Sequence, residues 1–452
     1  MRHLFLFALF GFISFATKSQ TAIGIINELT AINKEIAKQP CSTGNGMVIT
    51  NRAMNVFLAD KTGYLSEHGD LSLYTNYVTL STPTGTLTIN HNFQKAKGID
   101  EPLKSFFNVG IQANVADGFN TTFLDKKFKN ELGLDLKQTW LGKVKTRFSA
   151  CKQNQRDENL VDLQVNQKQA MDALRAGILH SLEMEINKKE ADFKMALNAI
   201  DSADEVPGQN LSVTRALALQ NFYADLKEEY EEKFAKLQAE TLAKTKDFKF
   251  ITTHWTSFEI YVPLFFPPYN IAASYTTSFQ EKHPYPFELT LNHTWLREDS
   301  KLGRLFITIS GNLLGNNSVR SFALDKTSFI QYKELGGTDT LHLASLKNDE
   351  IYIGNYGTFL TSALKGRIVY FFPDSHVGIS FLLEQNFGRY NLLNGRIGLP
   401  IVLINSKKLP SVNFEFDVAF FDMTHKIKAD KKFENKTSIG LRAGIPFSRL
   451  MY

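Results

Sequence analysis

Arg304, Arg367, Glu384, Arg396, Glu415, Asp417 and Arg442 are the side chains of this sequence best placed to act on another molecule. Each lies in a segment where apolar and polar residues alternate, and each falls on the polar side. Arg396, Glu415, Asp417 and Arg442 belong to three consecutive segments of that kind. Charges so placed can pair across neighbouring strands as a structural ladder. They can instead line a water-filled passage and set its charge preference. Arg304, Arg367 and Glu384 extend either arrangement.

Signatures of catalysis are missing from the sequence. The ten His are scattered, with no His-Glu-x-x-His and no His/Cys cluster at metal spacing. There is no Gly-x-Ser-x-Gly elbow and no P-loop, and Gly44-Asn45-Gly46 is too short for a dinucleotide fingerprint. His293, Ser310 and His376 could form a hydrolytic set on strand ends, although their spacing does not ask for one. The expectation is a protein that is not an enzyme and that has no metal or cofactor.

The elements that must position the charged residues are strands. Leu305, Ile307 and Ile309 alternate with Arg304, Thr308 and Ser310, and Val377, Ile379, Phe381 and Leu383 with Gly378, Ser380 and Glu384. Ile397, Leu399, Ile401 and Leu403 face away from Arg396 and Gly398. Val412, Phe414, Phe416 and Val418 oppose Asn413, Glu415 and Asp417, and Ile439, Leu441 and Ala443 oppose Gly440 and Arg442. A period of two marks strands with one apolar and one polar face. A soluble sandwich or a membrane barrel would suit that pattern. The barrel is favoured by the large aromatic apolar face, by charges on the other face that need water or each other, and by segments of about the 9–11 residues that cross a bilayer. The 37 Phe and 15 Tyr fit strands and interfacial girdles. Lys+Arg 51 against Asp+Glu 46 gives +5, too balanced to imply nucleic acid.

Arg2 and His3 precede the apolar run Leu4 to Phe15, with Ser14 and Ala16 at cleavage spacing, so residues 1–16 read as a signal peptide. Residues 17–61 hold a short amphipathic helix (Ile23, Ile26, Leu29, Ile32, Ile36) and a linker; its expected place is the periplasmic side, under or inside the barrel. The first barrel strands fall in 62–150 and the remaining ones in 248–452, for a total of about 12–14. Between them, 151–247 reads as a long antiparallel helical hairpin with coiled-coil-type packing. Its stripes run from Leu160 to Ile200 and from Leu219 to Leu237, broken at Pro207-Gly208. Its charged outer face is either simply solvated or a docking surface for a periplasmic protein.

Strand starts counted back from the C-terminus fall near Lys436, Ser411, Arg396, Val377, Ile351, Arg320, Gly303, Pro286, Tyr269 and Phe248. With the last strand ending in the periplasm, that count puts Pro373-Asp374-Ser375, Asn316-Asn317 and the hairpin on the inner side. Cys41 and Cys151 then share that side, and a disulfide between them would contribute about 4–5 kcal/mol in the chain-entropy model; two unpaired thiols are the alternative. Pro400 is awkward in a closed barrel, because proline cannot donate to the ladder; a bulge or a misread strand is implied.

The chain ends Ile445-Pro446-Phe447-Ser448-Arg449-Leu450-Met451-Tyr452. This alternating strand with a terminal aromatic resembles the recognition segment of bacterial outer-membrane β-barrel proteins. Pro446 interrupts its ladder, and Tyr452 is off the Ile439–Phe447 register. The resemblance implies the cell outer membrane as location, with outer-membrane lipid and the barrel-assembly machinery as partners. The leading expectation is a channel or binding barrel for small polar solutes. The alternative is an envelope structural or assembly protein, anchored by the barrel and binding a partner through the hairpin.

Overall fold

The structure, a computed structural model, describes residues 21–38, 49–62, 75–81, 86–93, 103–114, 123–124, 127–128, 131–148, 158–201, 211–275, 278–321, 323–338, 341–404, 410–427 and 437–449. Residues 1–16, expected to be a signal peptide, Cys41, Cys151 and the terminal Leu450-Met451-Tyr452 lie outside the described residues. The chain divides into two compact units, Met1–Met54 with Ala150–Thr245, and Asn55–Ser149 with Lys246–Tyr452. In chain order the elements are α1 (Ala22–Lys38), α2 (Asn51–Lys61), β1 (Thr75–Ser81), β2 (Thr86–Phe93), β3 (Ser105–Asn114), β4 (Phe123–Leu124), β5 (Lys127–Phe128), β6 (Leu132–Leu141), β7 (Lys145–Phe148), α3 (Glu158–Asp201), α4 (Leu211–Thr245), β8 (Phe248–Phe265), β9 (Tyr269–Ala272), β10 (Gln280–Lys282), β11 (Glu288–Asp299), β12 (Gly303–Asn317), β13 (Asp325–Thr338), β14 (Leu341–Ile353), β15 (Thr358–Phe371), β16 (Gly378–Gly388), β17 (Leu393–Ile404), β18 (Pro410–Phe420) and β19 (Thr437–Arg449).

Twelve of these strands close an antiparallel barrel. The order β11-β12-β15-β16-β17-β18-β19-β1-β2-β3-β6-β8 returns to its start because β11 pairs with β8 as well as with β12. The short β7 is an extra strand on β8, continuing the line of β6 after a break at Gly142–Val144. Burial alternates along β8 and β12. In β8, Ile251, Thr253, Trp255, Ser257, Glu259 and Tyr261 are buried, while His254 and Phe258 between them are exposed. In β12, Phe306, Thr308, Ser310 and Asn312 are buried, while Ile307 and Ile309 face out. The wall therefore presents mostly polar side chains inward and apolar ones outward, the reverse of a water-soluble core.

Two of the expected strand starts do not belong to the wall. Tyr269 begins β9, and β9, β10, β13 and β14 form a separate four-stranded sheet in the order β10-β9-β14-β13. Arg320 lies in the turn before β13, and the wall strand expected near Ile351 starts at Thr358. Removing two starts preserves the sense of β8 but reverses the senses of β11 and β12. Asn316-Asn317 thus lies at the opposite end of the barrel from Pro373-Asp374-Ser375, and leads into the extra sheet rather than a short turn. The end where β19 finishes, called the near end, carries the connections 300–302 and 372–377 and the points where the chain leaves and re-enters for the helical insertion. The far end carries the short connection 389–392 and the two longer stretches, between β8 and β11 and between β12 and β15, that hold the extra sheet.

The prolines are accommodated by ladder irregularities. Pro400 is in β17, where the β16 ladder stops at Gly398 and resumes as an isolated bridge at Ile401, so no partner waits for a missing N–H. Pro446 sits beside the bulge that shifts the β1–β19 register between Asn76 and Tyr77.

The other unit is helical and conventional in polarity. Thr21 caps α1, its Oγ1 accepting from Gly24 N–H at 3.1 Å. The buried stripe of α1 is Ala22, Ile25, Leu29, Ile32 and Ile36, with Ile23 exposed, and it packs on α3 and α4. Leu182 and Ile186 of α3, with Leu226, Tyr230, Phe234 and Leu242 of α4, complete that core. Lys227 bonds Glu28 at 2.6 Å and Arg175 bonds Asn33 at 3.1 Å across the helices. The helix expected under or inside the barrel thus belongs to a three-helix unit with the hairpin. At 44 residues α3 extends about 66 Å. Towards the C-terminal end of α3 the pair is held by Phe193 stacked on Phe222, centroids 4.0 Å apart.

Candidate functional site

Inward side chains on β15 to β19 meet in one charged cluster. Register places Glu415 of β18 directly opposite Arg442 of β19, and their side chains bond at 3.2 Å. Arg442 also pairs with Asp417 at 3.3 Å, and Arg396 of β17 approaches Asp417 at 3.8 Å. Arg367 reaches across from β15 to grip both oxygens of Glu415, at 3.1 and 3.2 Å. Ser380 of β16 donates to the same carboxylate at 2.5 Å. That last bond passes over Gly398 of β17, where an added Cβ would lie 2.5 Å from the Ser380 hydroxyl and 2.6 Å from Glu415. Glycine is thus the residue that lets side chains two strands apart touch. Glu415 and Asp417 are each only 2% exposed, so the cluster fills its part of the interior. Two guanidinium groups surround this buried carboxylate and supply the hydrogen bonds that burial takes from water.

Glu384 belongs to a second group nearer the far end. It accepts from Asn386 at 2.9 Å and Asn394 at 3.2 Å and pairs with Lys365 at 3.4 Å. Arg304 lies at the near end, donating to Glu298 at 2.8 Å and to the Lys61 carbonyl at 2.6 Å. The C-terminal part of α2 therefore sits on the near end of the barrel: Lys61 pairs with Glu298 at 3.3 Å and Phe57 meets the Phe248 ring edge-on at 5.7 Å. Burial pushes the Lys61 ammonium below its ordinary range, with Glu298 pulling the other way. Burial likewise lowers His376 in the β15–β16 connection, helped by Arg304 and Lys61.

All seven charged residues singled out from the sequence point inward, in three groups rather than one. The structure adds groups that the sequence reading passed over. Lys137 of β6 pairs with Glu259 of β8 at 3.6 Å, near the buried Asp135. Asn108 donates to Asn92 at 2.7 Å, and Asn92 N–H to the Asn76 side chain at 2.6 Å, making an amide ladder across β1 to β3. The period-two rule that found Glu415 also applies to Asp135 and Lys137, which alternate with Leu134 and Leu136. Acids and bases are interleaved around the interior, so neither sign dominates. His293, Ser310 and His376 do not converge: His293 faces outward on β11, Ser310 faces inward on β12, and His376 lies in a near-end connection. Among the described residues no group of His, Cys, Asp and Glu is arranged to hold a metal.

No family model matches the chain, and no curated protein does. Among solved structures, a NanC porin in a rhombohedral crystal form is similar over 83% of this chain and 100% of that one, with 6% identity and a TM-score of 0.26. The barrel assignment rests on the strand pairing itself.

Proposed function

We propose that this protein is a porin-like barrel of the bacterial outer membrane, through which small polar solutes pass or in which they bind. The observation that carries the reading is the inverted wall: Ile307, Ile309, Leu364, Ile368, Leu383 and Leu399 are exposed outside, while Arg367, Glu415 and Arg442 are buried inside. An apolar band of that kind needs lipid against it. The barrel's closure leaves it no strand edge, as a bilayer demands. No helix among the described residues is long and apolar enough to cross a membrane, so the strands would do the crossing. The short near-end connections 300–302 and 372–377 suit the periplasm and the longer far-end ones suit the exterior, which would give the helical insertion a periplasmic origin.

In this reading the Arg367–Glu415–Arg442–Asp417 cluster lines the path, and its balance of charge keeps selectivity weak. Single-channel recording of the refolded barrel in a planar bilayer tests it, with heat-modifiable gel mobility confirming the fold. Discrete steps are expected. Asp417→Asn should shift ion preference towards anions, and Arg396→Gln should shift it towards cations. A folded barrel that is silent in the wild type and in both variants would overturn passage of solutes through the lumen.

A further inference from the structure

A groove of about 370 Å³ opens on the outer wall at the near end, where β6 breaks before β7. Its floor is apolar, made by Trp295, Leu305 and Ile307, and its rim carries Lys143, Lys145 and Arg297. The break exists because the chain turns at Gly142, whose N–H bonds the His254 carbonyl at 2.7 Å. A Cβ at Gly142 would lie 2.3 Å from the His254 ring, so a larger residue there would have to displace that ring. Lys143 and Lys145 are exposed, and neither has an ion-pair partner among the described residues. Arg297 bonds Asp299 at 3.3 Å and lies over the Phe250 ring at 4.8 Å, which fixes its guanidinium beside the groove.

The height of the groove on the wall says what would meet it. Trp140, Trp295 and Phe372 are exposed on the outer surface towards the near end, and Tyr370 joins them by donating to the Leu302 carbonyl at 2.6 Å. Aromatic residues in that position form the girdle that sits at lipid headgroup level. We propose that the groove holds one anionic phospholipid of the phosphatidylglycerol type, its phosphate between Lys143, Lys145 and Arg297 and an acyl chain along Trp295, Leu305 and Ile307. The inference rests on the reading of the barrel as lipid-embedded. Three cations against the single Asp299 favour a net anionic headgroup, whereas a zwitterionic one would bring its own ammonium to the lysines.

Fluorescence quenching by brominated lipid tests this with the full chain in vesicles. The three Trp are Trp140, Trp255 and Trp295. In a Trp140→Phe background, Trp295 is the outward one and Trp255, buried inside, is the unquenched reference. Brominated phosphatidylglycerol should quench Trp295 with about a fivefold preference over brominated phosphatidylcholine, and Lys143→Gln/Lys145→Gln should remove the preference. Raising the salt should weaken it in the unsubstituted lysine form, a readout that survives if the double variant misfolds. Equal, salt-independent quenching by both lipids overturns the site and leaves the membrane barrel standing. Quenching by neither overturns both. Displacement of brominated phosphatidylglycerol by lipid A at lower concentration than by phosphatidylglycerol overturns the choice of phospholipid.

Discussion

Phe234 of α4 and Glu415 of β18 are both almost wholly buried, one among apolar neighbours and the other among Arg367, Ser380 and Arg442. The helical unit hides its apolar stripes and shows charge to solvent, as water requires. The barrel does the opposite, with Ile309 and Phe416 outside and Glu415 and Asp417 inside. One chain thus contains two rules of burial. The same kind of substitution should therefore have opposite consequences in the two units.

The largest effect should come from removing the carboxylate at the centre of the barrel cluster. Glu415→Ala removes the carboxylate that Arg367 and Arg442 share and leaves Arg442 with Asp417, and a cost of about 3–5 kcal/mol is expected. Denaturant titration of the barrel in vesicles measures it, and a loss below about 1 kcal/mol would mean that water already fills the cluster and solvates those cations. In the helical unit the equivalent damage is apolar. Phe234→Ala should cost about 3–4 kcal/mol by leaving a cavity, read from loss of helical signal, with the barrel's heat-modifiable mobility unchanged. Next comes Ile309→Arg on the outer face near the middle of β12. In lipid it should cost about 2–4 kcal/mol, whereas an outward face bathed in water would accept it for nearly nothing. An unaffected barrel in that experiment would erase the contrast between the two units.

How much of this was legible in the sequence follows from which signals are local. Alternation is local, so the inward set Arg396, Glu415, Asp417 and Arg442 could be read from spacing alone. Pairing is not. Nothing in the run at Tyr269 says that its partners are β10 and β14 rather than wall strands, because a four-residue strand has the same pattern wherever it docks. The bond from Ser380 to Glu415 was equally hidden, since it depends on the glycine between them in space, at Gly398. The helical stripe of α1 was clear, but its partner was not: an amphipathic face is equally consistent with a barrel mouth and with the hairpin that it actually covers.

The smallest expected effect sharpens the helical side of the comparison. Burial raises the Tyr223 phenol to about 12, helped by Glu190, whose carboxylate accepts its hydroxyl at 2.6 Å. Burial raises Tyr230 to about 12 as well, with Glu185 and Glu229 adding to the shift although Lys189 and Lys233 lie over the ring. In the unfolded chain both phenols ionise near 10. Below pH ~10 the folded and unfolded states carry the same protons, and the contribution of these groups is fully present. Between about 10 and 12 the unfolded state loses its protons first, so the helical unit loses stability as pH rises through that window. Tyr223→Phe with Tyr230→Phe removes the ionisable group but keeps the ring, including the face under Lys189 and Lys233. The midpoint of alkaline helix loss, followed by far-UV circular dichroism, should therefore move to higher pH in the double variant. A midpoint that stays put would show that the phenols are solvated in the folded unit, and that its core is looser than the packing around Phe234 implies.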